Sequence, residues 1–200
     1  MVITEASSAV ALATVARLAA DGHLVVMGGR RTHICEEFAA RLRSDGAEVF
    51  AAHLDLADPP SIDRFIQSAD YLIGDADVLV SSAGVVDRSW VGAQHLVGQL
   101  VPPMVDNGRG DVVLISPELI GAPSAGAHRM LEAWVSGLDA EFVGTGVRAS
   151  IVHSVGQVPP ADVGRLIAAT IVAADLSHVQ IVDLIAPVPA PTLAQERRGR

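Results

Sequence analysis

A chain of 200 residues, half of them hydrophobic and 18% charged, is long enough for one domain with a real core and needs no disulfide or structural metal. Its net charge of −9, from 14 basic and 23 acidic side chains, leaves no basic face for nucleic acid, and one cysteine, Cys35, forbids an internal disulfide and suits a reducing, cytoplasmic setting. Every basic residue is arginine. With no lysine, one tyrosine (Tyr71) and one asparagine (Asn107), lysine chemistry is excluded and tyrosine chemistry has a single candidate.

The elements alternate along the chain. A helical pattern from Ala11 to Asp21 precedes a short apolar run, His23 to Met27, closed by Gly28 and Gly29. Cys35 to Ser44 is helical in spacing, and Glu48 to Leu54 is a second apolar run. Ser61 is the expected N-cap of a helix carrying Ile62, Phe65, Ile66 and Ala69. Further runs at Ala76 to Val80, Asp111 to Ile115, Arg148 to Val152 and Val179 to Ile185 alternate with helices over Val91 to Val105, Gly126 to Val143 and Ala161 to Ala174. The first of these three is expected to break at Pro102-Pro103. Near-continuous Val, Ile and Leu marks strands covered on both faces, hence parallel pairing. The expectation is a doubly wound α/β sheet, a Rossmann-like three-layer sandwich, over residues 1–190 with a polar basic tail at 191–200. No apolar run reaches the ~20 residues of a membrane span, and the alanine-rich start lacks the basic lead-in of a signal peptide.

The opening from Met1 to Ala11, a short strand, Thr4, then Ala6-Ser7-Ser8 leading into a helix, resembles the short-chain dehydrogenase/reductase family. The resemblance continues in order. Arg30-Arg31 follow the second strand where NADP-preferring members carry a basic pair, and Asp55-Leu56 end the third, where the family's Asp lies beside the adenine. Ser81-Ser82-Ala83-Gly84 end the fourth like the family's Asn-Asn-Ala-Gly, and Gly144 to His153 looks like the lead into the sixth. It implies NADP(H) or NAD(H) as cofactor, held by Thr4, Ser7, Ser8, Arg30, Arg31, Asp55, Leu56, Ser82, Ala83 and Gly84. It also implies association with a second copy, or with a relative, through the helices near 91–105 and 126–143, whose apolar positions include Leu96, Leu100, Val101, Met130, Trp134 and Leu138.

The departures fall on the chemistry. Glu5, Ala9 and Ala11 stand where the family's first turn has glycines. A carboxylate at ~4 Å from a phosphate costs roughly 4 kcal/mol at an effective dielectric near 20, about three decades of affinity, so weakened nucleotide binding is expected. The family's Tyr and Lys positions align with Ser124 and His128, Pro117 beside Ser116 falls near the catalytic Ser, and the catalytic Asn has no counterpart. Substitute proton carriers are therefore Ser116, Ser124 and His128, with Glu118 or Glu132 as acidic neighbours. As a structural residue, Ser124 is equally the N-cap of its helix. The seven histidines are scattered, without metal-ligand spacing, so no metal site is expected. These readings favour a family member that has kept the core and lost the dehydrogenase chemistry, acting through assembly or regulation. The alternative is an NADP(H)-dependent oxidoreductase using substitute residues.

Overall fold

The computed structural model describes residues 1–82, 88–116, 125–155, 158–172 and 181–185, with the backbone alone at 88, 125, 127, 128, 154, 155 and 181–185. Among the described residues seven strands, β1 (Val2–Ile3), β2 (Val25–Gly29), β3 (Val49–His53), β4 (Val78–Ser81), β5 (Gly110–Ile115), β6 (Val147–Val155) and β7 (Ile181–Ile185), alternate with six helices. The helices are α1 (Ala9–Ala20), α2 (Thr32–Ser44), α3 (Pro59–Ile73), α4 (Arg88–Asp106), α5 (Ala125–Phe142) and α6 (Pro160–Val172). Every strand pairing is parallel, in the order β3-β2-β1-β4-β5-β6-β7. This is the expected doubly wound sheet. The tail at 191–200 lies outside the described residues.

Alternation along the strands sorts the core into two layers. Val2, Leu79, Val112, Leu114 and Ile151 face α3, α4 and α5, while Ile3, Met27, Val80, Val113 and Val152 face α1, α2 and α6. Glycine sets how closely the second layer packs, since a methyl group on Gly164 of α6 would lie 2.9 Å from the backbone of Ala13 in α1.

Two local expectations need correction. The N-cap of α3 is Asp58, and Ser61 lies inside the first turn, where its hydroxyl accepts a hydrogen bond from Asp55 N at 3.0 Å. Pro59 and Pro60 explain the shift, because proline belongs in a first turn whose N–H groups have no helical acceptor. The second correction is that α4 runs unbroken through Pro102 and Pro103. The carbonyls these prolines cannot serve belong to Gly98 and Gln99, both exposed, so water can take those bonds. Val97, Leu100, Val101 and Met104 hold the turns on either side against the sheet.

Where β5 and β6 begin, Asp111 and Arg148 pair in register and form an ion pair at 2.6 Å with 18% and 21% of their side chains exposed. Burial raises the Asp111 carboxyl above its ordinary value of 3.8, with the Arg148 guanidinium pulling against that rise and Asp77 adding to it. A raised carboxyl favours the protonated fold. Its share of stability is full below the unfolded value and is lost as pH rises through the elevated folded midpoint. Asp111→Asn is expected to remove that slope from the pH profile of the urea midpoint.

Candidate functional site

The strand order reverses between β1 and β4, and the crevice at their carboxyl ends is where doubly wound sheets take ligands. Thr4 leaves β1 there. Its N–H donates to Val80 O at 3.0 Å, its hydroxyl lies 3.0 Å from that of Ser81, and Ser82 N donates to Thr4 Oγ1 at 3.3 Å. All three side chains are buried, and among the described residues the Ser82 hydroxyl has no hydrogen-bond partner. The loop then turns into α1. Ser8, extended at φ −77° and ψ 152°, caps the helix by accepting from Ala11 N at 3.2 Å. The loop passes over Gly29, where an added methyl would meet Ala6 N at 3.5 Å and Cys35 Sγ at 3.4 Å.

Glu5 sits in this loop at φ +47°, the one non-glycine residue with positive φ among the described residues. An L-residue in the left-handed region costs roughly 1–2 kcal/mol. The loop therefore keeps a glycine-type conformation although glycine is gone. Arg30 and Arg31 are both exposed, and Arg31 is drawn to the same loop, with Nε donating to Ser7 Oγ at 3.2 Å. Burial raises the Cys35 thiol above its ordinary value, the Arg31 charge opposes the rise and the Glu5 charge adds to it, so both charges reach this point. The strand–loop–helix turn thus has the shape that receives a diphosphate at a helix amino end, with the Arg31 cation beside it and the Glu5 carboxylate within it.

At the end of β3, Asp55 folds its carboxylate back onto its own turn, Oδ1 accepting from Ala57 N at 2.9 Å. Leu56 is buried against α4, and a cavity of about 470 Å³ opens between Leu56, Ala57, Pro59, Ile62, Val91 and His95. His95 Nε2 lies 3.0 Å from Asp63 Oδ1.

A second polar cluster stands at the carboxyl edge of β5 and β6. Ser116 is fully buried, and among the described residues its hydroxyl has no hydrogen-bond partner. Ser116 N donates to Val152 O at 3.0 Å, which places Ser116 beside His153 across the parallel ladder. On α5, Glu132 Oε1 lies 3.9 Å from His153 Nε2.

The structure therefore gathers Thr4, Ser7, Ser8, Arg31 and Ser82 around one crevice and places Asp55 and Leu56 at the end of β3, two strands from β1. Ser116 stands apart with His153, which along the sequence is only one of seven scattered histidines. Counting register from Ser116 would have found it. Ala83, Gly84, Ser124, Glu118 and Pro117 lie outside the described residues, as does the side chain of His128, whose backbone is in α5. Tyr71, on α3, is 91% exposed, and Asn107 donates to Asp75 at 3.2 Å beyond the end of α4, where it opens toward β5. Among the described residues no group of three or more His, Cys, Asp or Glu could hold a metal ion, and no helix is long and apolar enough to cross a membrane. Leu96, Leu100, Val101 and Leu138 are buried, whereas Val91 and Met130 are exposed, near a Trp90–Trp134 edge-to-face pair at 4.7 Å.

The family model for short chain dehydrogenase matches residues 1–128. The chain is 31% identical over 179 residues to 1-deoxy-11-beta-hydroxypentalenate dehydrogenase of Streptomyces exfoliatus, covering 76% of this chain and 64% of that protein. It is 29% identical over 176 residues to glycine betaine reductase ATRR of Emericella nidulans, covering 76% of this chain and 14% of that one. The chain thus spans less than two thirds of the length of these relatives. Among solved structures, a metagenomic short-chain oxidoreductase in complex with NADP superposes with a TM-score of 0.80 at 21% identity, over 94% of this chain and 96% of that one. An NADPH-bound short chain oxidoreductase of Pseudomonas aeruginosa containing an atypical catalytic center gives 0.78 at 19% identity, over 96% of both.

Proposed function

Because the chain belongs to the short-chain dehydrogenase/reductase family, we propose that it keeps the family's dinucleotide cradle and does not carry out Tyr/Lys-assisted hydride exchange. Its role is exerted through association with a second copy or with an active relative. The observation that carries this reading is compositional: the sequence contains no lysine, and its one tyrosine cannot stand in for the family's proton donor. Tyr71 lies on α3, which packs over β2 and β3, and β3 is four strands from β5. At ~4.8 Å per strand that is roughly 19 Å across the sheet.

Thr4, Ser7, Ser8, Ser82 and Arg31 are the residues that would hold a nicotinamide dinucleotide, which when bound supplies the hydride donor or acceptor. Arg31 is the cation that hydrogen-bonds the loop, through Ser7, and Glu5 works against the phosphates. The exposed Val91 and Met130, on the two helices through which the resemblance implies association, support the assembly role. A cytoplasmic setting, which the buried thiol of Cys35 suits, completes the reading.

A second reading, an NADP(H)-dependent oxidoreductase with substitute residues, is favoured by the buried, unpartnered Ser116 hydroxyl and by a structural neighbour described as having an atypical catalytic center. One assay separates the two. NADPH consumption over a panel of ketones and aldehydes is expected to stay at the buffer rate. Turnover above it overturns the first reading and installs the second.

A further inference from the structure

Away from the crevice, β3 closes one side of the strand order, and register fixes which of its backbone groups face outward. Val25 N donates to Glu48 O and Leu54 N donates to Gly29 O, so Glu48, Phe50, Ala52 and Leu54 turn their backbone groups toward β2. Val49, Ala51 and His53 turn theirs away from the sheet. Arg43 Nη1 covers the Val49 carbonyl at 2.8 Å, and among the described residues no hydrogen bond reaches the outward N–H and C=O of Ala51. The strand, Val-Phe-Ala-Ala-His, has no proline and no lysine or carboxylate to blunt its edge. Beside it lies a groove of about 680 Å³ between Ala51, Ala52 and α3. Arg64, Gln67 and Tyr71 stand exposed along its α3 wall, and Thr32 and His53, 3.2 Å apart, flank its far side. Among the described residues no carboxylate lines it, in a chain whose net charge is −9. Asp58, which does not line it, meets Arg64 at 3.5 Å with both side chains at least half exposed, a pair that a new carboxylate can readily replace.

We propose that the β3 edge and this groove bind an extended acidic segment of a partner protein, which adds to the sheet as a further strand beyond β3. Ala51 gives and receives the pairing hydrogen bonds, and the small side chains of Ala51 and Ala52 let the segment approach to the ladder spacing of ~4.8 Å. The donors on the α3 wall recur about once per turn, every ~5.4 Å. Alternate side chains of a strand recur every ~6.7 Å, so carboxylates at every second position of the segment meet Arg64, Gln67 and the Tyr71 hydroxyl. A second copy of β3 is the poorer occupant. Laid antiparallel, it sets the Arg43 end of one strand against the end of the other that carries His53 and Arg64, cation to cation. The chain's own residues 191–200, with Arg197, Arg198 and Arg200 against Glu196, are basic and do not match either. The surface shares no residue with the nucleotide crevice or with α4 and α5, so it goes beyond the function proposed above and stands without it.

The test uses the whole chain and the fluorescence anisotropy of a fluorescein-labelled peptide, Glu-Val-Asp-Val-Glu. Its controls are the counterpart Lys-Val-Lys-Val-Lys and a fully N-methylated copy of the acidic peptide, which keeps the charges and cannot pair with a strand. The acidic peptide is expected to bind roughly tenfold or more tightly than either control. Ala51→Pro removes an outward N–H that takes no part in the ladder with β2, and is expected to weaken binding by about tenfold. Arg64→Glu is expected to reverse the preference between the acidic and the lysine peptide. Circular dichroism reports whether each variant folds; should Ala51→Pro fail, the N-methylated peptide and Arg64→Glu carry the test. No binding by the wild-type chain, equal binding of the acidic and N-methylated peptides, or a folded Ala51→Pro that binds as tightly as wild type overturns the proposal. Self-association in sedimentation that Ala51→Pro abolishes, with the peptide unbound, overturns it in favour of a second copy. A peptide that binds only once residues 186–200 are removed overturns it in favour of the chain's own tail.

Discussion

Replacing Glu5 by glycine is expected to tighten NADPH binding by roughly a hundredfold or more, out of the three decades that a carboxylate at ~4 Å from a phosphate can cost. The fold is expected to become no less stable. At φ +47° the glutamate holds a backbone conformation that disfavours any residue with a Cβ, by about 1–2 kcal/mol. Glycine relieves that and gives back about 0.4–1 kcal/mol through a looser unfolded chain. The net gain is up to about 1.5 kcal/mol. Glu5→Gln separates the two effects, since it discards the charge and keeps the strained backbone. It should recover most of the affinity and none of the stability. Calorimetric titration with NADPH and thermal denaturation of the three proteins check both halves. Equal affinity in all three would show that the Glu5 carboxylate turns away from the phosphates.

A second large effect is expected at Gly92. This residue lets α4 press directly on the turn after β3, and a methyl group there would sit 1.7 Å from Leu56 O and 2.7 Å from the Leu56 carbonyl carbon. Both are backbone atoms, so neither can swing aside. Gly92→Ala must push α4 off the turn or distort the Asp55–Leu56 segment, at a cost of about 3 kcal/mol. At Gly98, further along the same helix, a methyl group would have no neighbour within 4 Å. There the helix preference for alanine acts alone, and Gly98→Ala is expected to stabilise by up to about 1 kcal/mol. Opposite shifts of the urea midpoint in these two variants confirm the packing, whereas two shifts of the same sign refute it.

The fold was legible because a parallel sheet covered on both faces leaves an unmistakable pattern. Runs such as Asp111 to Ile115 carry Val, Leu and Ile at successive positions, and the observed β5 differs by one residue. Local signals failed where two of them competed. Ser61 has the chemistry of a cap, yet Pro59 and Pro60 start the helix earlier. Pro102 and Pro103 have the chemistry of a break, yet the apolar face on either side outweighs the lost hydrogen bonds. The cradle could be read in part, since Thr4, Ser7, Ser8 and Arg31 belong to an ordered motif and meet around one loop. The Ser116–His153 pairing could not, because it arises from register between strands far apart in the chain, and Glu132 joins only once α5 docks. No spacing rule along a single segment encodes such a meeting.

The central strand carries a further consequence. β1 is two residues long, Val2 and Ile3, and among the described residues it is the strand through which β2 and β3 join the β4–β7 side of the sheet. Within the sheet, two paired residues on each side of β1 span this seam, supplemented by the bond from Thr4 N to Val80 O and by α4 resting on the Leu56 turn. The ligand crevice lies at the carboxyl end of the same seam, with Thr4 and Ser81 clasped across it. A molecule bound in that crevice would act as a rivet, so that occupancy and the mechanical cohesion of the whole domain rise and fall together.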